Sequence, residues 1–201
     1  MSGAVFASMS MSLDGYINGP NGGADVDRLH EWIYNLKSWR EPHGLPGGES
    51  GVDDDVMKES FERPGAFIIG RRMFDEAEEP WGDEPPFHRP LFIVTHRERE
   101  PEVKKGGTTY TFVTDGIESA LAQAREETGG KDVALGGANT IQQFINAGLL
   151  DEIQVDLVPI SLGGGTPLFA NIGSNIRFER TRVVDSPAVT HLWFRVVKEG
   201  S

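Results

Sequence analysis

Residues 131–169 read KDVALGGANTIQQFINAGLLDEIQVDLVPISLGGGTPLF, two glycine clusters set around one short helix and one apolar strand. Val133, Ala134 and Leu135 make a short apolar run that stops at Gly136 and Gly137, and Ile141, Phe144, Ile145 and Leu149 then recur at helical spacing. The glycines therefore mark a strand-to-helix junction. First-turn N–H groups of a helix have no intrahelical partner and sit at the positive end of its dipole, so an anion is favoured there. Glycine, lacking a side chain, lets a phosphate approach that backbone closely. Ala138 opens the helix, and Asn139 and Thr140 suit cap and early-turn donors. The other reading of Gly136-Gly137 is a tight connection and nothing more.

Two further strand ends carry similar punctuation. The apolar run 66–69 leads directly into Gly70, Arg71 and Arg72, and the run 91–94 ends in Thr95, His96 and Arg97. In an open α/β sheet ligands bind at the carboxyl ends of the strands, so the three clusters are expected to converge on one edge. Guanidinium groups bind phosphate through planar bidentate hydrogen bonds, and Thr95 and His96 add donors. Two anion sites fit a dinucleotide with an extra phosphate, which selects NADP over NAD. Taken singly, each arginine also reads as a solvated surface charge. Neither a G-x-G-x-x-G fingerprint nor a Walker loop is present, so a standard Rossmann domain is not supported.

Period-two alternation over 5–13 predicts a strand closed by Asp14-Gly15. The run 25–39 places Leu29, Trp32, Ile33 and Leu36 on one helical stripe, and 40–51, with Pro42, Pro46 and Gly47-Gly48, is a loop excursion. A helix follows over 52–61, a strand over 110–113, and a helix marked by Ile117, Ala120, Leu121 and Ala124. Segments 151–159, 176–184 and 189–197 read as strands with no helix between the last two. This pattern predicts one α/β domain over residues 1–201, a mixed and mostly parallel sheet flanked by helices and ending in an antiparallel hairpin.

With 31 acidic against 19 basic residues the chain carries a formal charge of −12, which argues against nucleic acid and anionic membrane surfaces as partners. It has no cysteine, which excludes disulfides, thiol catalysis and thiolate zinc sites. His30, His43, His88 and His191 show no metal-ligand spacing, so no metal is expected. The N-terminus has no basic stretch followed by an apolar core, and no apolar run reaches about 18 residues, so the expected location is the cytoplasm.

SLDGYI at 12–17, IIGRRMFD at 68–75, LFIVTHR at 91–97 and the segment 136–169 stand in an order that resembles the dihydrofolate reductase-like family, which includes the C-terminal reductase domain of bacterial riboflavin-biosynthesis proteins. The resemblance spans nearly the whole chain. It implies a sheet of about eight strands, NADPH as hydride donor and a homodimer. It also implies that Gly70, Arg71, Arg72, Thr95, His96 and Arg97 hold the adenosine phosphates while Gly136, Gly137, Ala138, Asn139 and Thr140 hold the pyrophosphate. There are two departures from the family pattern. The cysteines of a zinc deaminase are absent, which leaves a reductase only. Tyr16 stands where the riboflavin reductases commonly carry a lysine for a phosphorylated substrate, so a ribosylaminopyrimidine phosphate lacks that partner.

Asp14 ends the first strand at the edge where the ligand is expected, which makes it the first candidate for the acid beside hydride transfer. A turn-forming Asp before Gly is the alternative. Asp27 and Glu31 on the first helix are the next carboxylates, and Trp32 either stacks on a flat heterocycle or belongs to the core. The function expected is NADPH-dependent reduction of a small heterocycle of pterin or pyrimidine type. The rival is an NADP-binding domain without turnover.

Overall fold

The structure is a computed structural model in which residues 3–198 are described. Alternating side chains draw Val5–Ser12 into strand β1, and the turn at Asp14-Gly15 leads to the short strand β2, Tyr16–Asn18. Helices α1 (Gly23–His30), α2 (Lys37–Arg40) and α3 (Val52–Glu62) precede β3 (Pro64–Gly70), which runs straight into α4 (Arg71–Trp81). Then come β4 (Pro90–Val94), β5 (Glu102–Val103), β6 (Thr109–Val113), α5 (Ile117–Glu127), β7 (Asp132–Gly136) and α6 (Ala138–Asn146). The chain closes with β8 (Glu152–Val158), β9 (Thr166–Pro167), β10 (Arg177–Asp185) and β11 (Thr190–Val197).

Nine strands form one sheet in the order β10-β11-β8-β1-β7-β3-β4-β6-β5, with β2 and β9 pairing separately. The pairs β1–β7, β7–β3, β3–β4 and β4–β6 are parallel, whereas β10–β11 and β5–β6 are antiparallel. The sheet is thus mixed and mostly parallel, with the terminal hairpin that the unbroken strands predict.

The helix predicted over 25–39 is two helices. Beyond α1 the chain makes turns, with the Ile33 N–H donating to His30 O and the Leu36 N–H to Ile33 O, and Glu49 then pairs with it: the Glu49 N–H donates to Asn35 O at 2.7 Å and the Lys37 N–H to Glu49 O at 3.0 Å. Leu29, Ile33 and Leu36 of the apolar stripe are nonetheless buried, divided between two clusters, with Trp32 half-buried against both. Leu29 packs with Val158, Leu162 and Val189, and Ile33 and Leu36 pack with Met57.

Residues 3–7 and 64–152 make one compact unit, and residues 8–63 and 153–198 a second. In the first, Ile69, Phe74, Phe87, Leu91, Ile93 and Tyr110 form the core, with Phe74 edge-on to Tyr110 at 5.1 Å. The Tyr110 hydroxyl is buried without a hydrogen-bond partner, and burial pushes its pKa up to about 12.

The second unit buries polar groups across one sheet face. His191, 0% exposed, faces Asp156 Oδ1 through Nδ1 at 2.6 Å and Asp53 Oδ1 through Nε2 at 3.0 Å. Carboxylate oxygens only accept, so both ring nitrogens donate and the ring is an imidazolium. Burial alone would lower its pKa, but the hydrogen bonds and charges of Asp156 and Asp53 outweigh that and raise it. Gln154 Nε2 also donates to Asp156 Oδ1 at 2.8 Å, Ser60 Oγ to Gln154 Oε1 at 3.1 Å, and Ser186 Oγ to Asp53 Oδ2 at 3.0 Å.

Two measurements check this packing. Tyr110→Phe removes only an unpaired oxygen, so stability is expected to hold or to rise by about 1–2 kcal/mol in denaturant titration; a loss of similar size means that the hydroxyl has a partner. For His191 the stabilisation is fully present below about pH 6.5, the ordinary histidine value, and is lost as pH rises through the elevated folded-state pKa. The melting temperature is expected to fall from pH 6.5 towards 9 and His191→Gln to flatten that slope; a wild-type profile flat over this range contradicts the buried imidazolium.

Candidate active site

The first unit holds the three glycine and basic clusters together. Parallel pairing is in step, with Ile69 opposite Gly136 and Gly70 opposite Val94, so β7, β3 and β4 end level with one another. At β7 the chain passes through Gly136 into Gly137, whose φ of +84° is left-handed and which caps α6. A Cβ on Gly136 would meet Ile69 Cγ2 and Met73 Sδ at 3.0 Å, and one on Gly70 would meet Thr140 Oγ1 at 2.8 Å. The glycines therefore keep the floor of the junction open.

Asn139 and Thr140 are not caps. No side chain caps α6: Gly137 occupies that position, and the Asn139 Oδ1 instead accepts from Gln143 Nε2 at 2.6 Å. The first-turn N–H groups of Ala138, Asn139 and Thr140 are thus left for an acceptor from outside the helix, which suits a pyrophosphate.

The arginines meet through a carboxylate on α4. Asp75 accepts from Arg71 Nε at 2.6 Å and from Arg97 Nη2 at 2.9 Å, while Arg72 Nε donates to Glu76 at 2.8 Å. Partial burial pushes the Asp75 carboxyl up, and the two guanidinium groups outweigh it to hold the pKa below the ordinary value. Thr95 is buried and its Oγ1 accepts the Arg97 N–H at 3.1 Å; His96 is exposed. The Arg71 guanidinium carbon lies 5.8 Å from the Phe112 ring centre and that of Arg99 5.0 Å from it. Phe112, Arg99, Glu98, Glu100 and Thr114 line an open groove of about 390 Å³.

Asp14 belongs to the second unit. Ser12 Oγ donates to its Oδ1 at 2.6 Å, Ser161 Oγ to its Oδ2 at 2.8 Å, and the N–H groups of Leu162 and Gly163 approach at 3.1 and 2.7 Å. The Ser12 hydroxyl foremost, with the Gly163, Leu162 and Ser161 donors, outweighs the burial penalty and holds the carboxyl far below the usual carboxylate range. These bonds clamp the loop at 161–163 to the end of β1. Asp27 is exposed and accepts from Tyr34 Oη at 3.0 Å, and Glu31 is exposed. Trp32 is half-buried, its Nε1 donating to Ser10 Oγ at 3.2 Å and its ring edge-on to His191 at 5.2 Å.

Two groups escaped the sequence reading: Asp75, and the Asp53–His191–Asp156 cluster. The one local signal for the second was polar residues at alternate positions of otherwise apolar strands, Ser8, Ser10 and Ser12 in β1 and Gln154 and Asp156 in β8. Among the described residues, no group of three or more His, Asp or Glu is placed to hold a metal ion, and no helix is long and apolar enough to cross a membrane.

Comparisons with known proteins place this geometry in a lineage. Two uncharacterized proteins of Bacillus subtilis (strain 168) are similar in sequence. YyaP is 26% identical over 195 residues, covering 92% of this chain and 91% of its own, and YwjB is 32% identical over 161 residues, covering 80% and 79%. A Shewanella sp. PV-4 protein provisionally assigned to riboflavin biosynthesis shares the fold with a TM-score of 0.71 at 23% identity, over 97% of this chain and 99% of its own. The fold is also that of Enterococcus faecalis dihydrofolate reductase solved with NADP(H), TM-score 0.60 at 14% identity over 98% of this chain and 99% of its own. A deaminase/5-amino-6-(5-phosphoribosylamino)uracil reductase from Thermotoga maritima matches with a TM-score of 0.62 at 14% identity, over 98% of this chain and 57% of its own. The RibD C-terminal domain profile matches residues 4–192, and on that match the chain belongs to the RibD C-terminal domain family.

Proposed function

We propose that this protein is an NADPH-dependent reductase of a small heterocycle of the pyrimidine or pterin type. The observation that carries the proposal is the uncapped start of α6 behind Gly136-Gly137, level with a strand end where Arg71 and Arg97 share Asp75. The uncapped N–H groups suit a pyrophosphate, and the remaining N–H donors of the two arginines suit the extra phosphate of NADP(H). Family membership and the likeness to reductases support the same reading. In the same proposal the protein works as a homodimer, as the family resemblance implies, and in the cytoplasm, as the sequence reading expects.

Bound NADPH would supply a hydride to the carbon of a C=N bond, leaving as NADP⁺ while a proton from water completes the nitrogen. Within the second unit Asp14 is assigned the part of a clamp on the loop at 161–163, because donors fill both of its oxygens.

NADPH is expected to bind at least tenfold tighter than NADH, since a charge-assisted phosphate contact is worth about 1.5–3 kcal/mol. Arg97 is two-thirds exposed, so Arg97→Ala should shrink that preference in calorimetric titration while the melting temperature stays put. Equal affinity of the wild type for the two cofactors would remove the phosphate assignment. NADPH absorbance followed with dihydrofolate, pteridines and pyrimidine intermediates then tests turnover, and tight binding with no consumption on any of them would favour a nucleotide-binding protein.

A further inference from the structure

We infer that Asp156 is the residue that recognises the ring substrate, its Oδ2 accepting an N–H from an amino-substituted heterocycle. The identity of the ring rests on the reductase reading above; the role of Asp156 is drawn from the second unit alone.

A sheet face lying under helices is ordinarily apolar. Here Ser8, Ser10 and Ser12 on β1, Gln154 and Asp156 on β8 and His191 on β11 are polar, and all but Ser8 are buried or nearly so. Asp156 is 4% exposed, and its two oxygens are unequally served. Oδ1 accepts from His191 at 2.6 Å and from Gln154 at 2.8 Å, whereas Oδ2 has only Ser8 Oγ at 3.5 Å, the outer limit of a hydrogen bond. A buried anionic oxygen left so poorly filled is costly unless something else donates to it. With Oδ1 held on one side by the imidazolium and the amide, Oδ2 is the atom left over for a ligand.

The surroundings suit a flat ring bearing an amino group. Trp32 presents a half-buried indole, held by its bond to Ser10 and by its edge contact with His191. His30 feels the Asp156 charge, but burial dominates and lowers its pKa. Its Nδ1 lies 2.8 Å from Val26 O, a carbonyl that only accepts, so the neutral ring donates there and Nε2 is an acceptor. Two acceptors, the hydroxyls of Ser8 and Ser10 and an aromatic wall match a heterocycle with N–H donors at its edge. Other carboxylates nearby are committed elsewhere: Asp25 takes both the backbone and side-chain N–H groups of Asn21 and Arg28 Nη1, and Asp27 takes Tyr34.

The test uses the full chain and two probes, isocytosine and pyrimidin-4-one, which differ only in the exocyclic amino group. Wild type is expected to bind isocytosine at least tenfold tighter, because a buried carboxylate oxygen served only by one hydroxyl at 3.5 Å rejects the analogue without the donor. Asp156→Asn should erase that ratio while NADPH affinity holds. Should Asp156→Asn fail to fold, Ser8→Val provides the second arm: it sets methyl groups against Oδ2, leaves the His191 and Gln154 bonds in place, and should abolish the ratio too. Equal binding of the two probes by wild type, or a ratio that survives in the variants, overturns the inference. Absence of NADPH binding in wild type would count against the reductase assignment alone, and the probe ratio decides Asp156 in either case.

Discussion

In-step hydrogen bonding between parallel strands is the constraint on which the candidate cofactor site depends. Because Gly136 sits beside Ile69, Gly70 beside Val94 and Val94 beside Val113, no strand of this set overshoots its neighbours. Three short segments far apart in the chain thus end on one line. A slip of one residue in any pairing would turn every side chain of that strand to the other face and displace its terminal cluster by about 3.3 Å. The glycines matter for the same reason: side chains at Gly136 and Gly70 would collide with Ile69, Met73 and Thr140, the residues that keep the strand ends and helix starts close.

The second unit is organised by charge rather than by apolar packing alone. Asp53 from α3, Asp156 from β8 and His191 from β11 bring three elements to one imidazolium. Such a buried cluster contributes little net stability compared with apolar residues of similar size, because desolvation offsets most of the attraction. Its effect is to define geometry. Removing His191 leaves two carboxylates without their shared cation, so the imidazolium ties the helix and both strands to one arrangement.

Much of the fold was legible from local pattern. The runs 66–69, 91–94, 110–113 and 133–135 are strands because each is apolar, short and punctuated, and the absence of helical spacing between 176–184 and 189–197 announced the hairpin. What could not be read came from partners distant in sequence. The chain turns after His30, and Glu49 then pairs with Asn35 and Lys37, a partner that nothing between residues 25 and 39 signals. Apart from Ser12, the donors that fill Asp14 lie 147 to 149 positions away, so a turn-forming role and an acidic one looked equally plausible locally. His191 stands 35 positions from Asp156 and 138 from Asp53, and a lone histidine in a strand looks like any other. Within the candidate cofactor site the glycines and arginines were visible, but Asp75 was hidden because an acidic residue four places after an arginine is ordinary helix surface.

Asp75 gives the arginine pair a resident counterion. Bare guanidinium groups gather mobile anions from solution, and a ligand that displaces them is weakened steeply as salt rises. Arg71 and Arg97 are already neutralised in part by a carboxylate that cannot diffuse away. A phosphate arriving there exchanges places with, or shares donors with, a fixed charge, so ionic strength has less to act on. In a chain of net charge −12, which surrounds itself with cations, that arrangement keeps the pair oriented and ready without making it a general trap for anions.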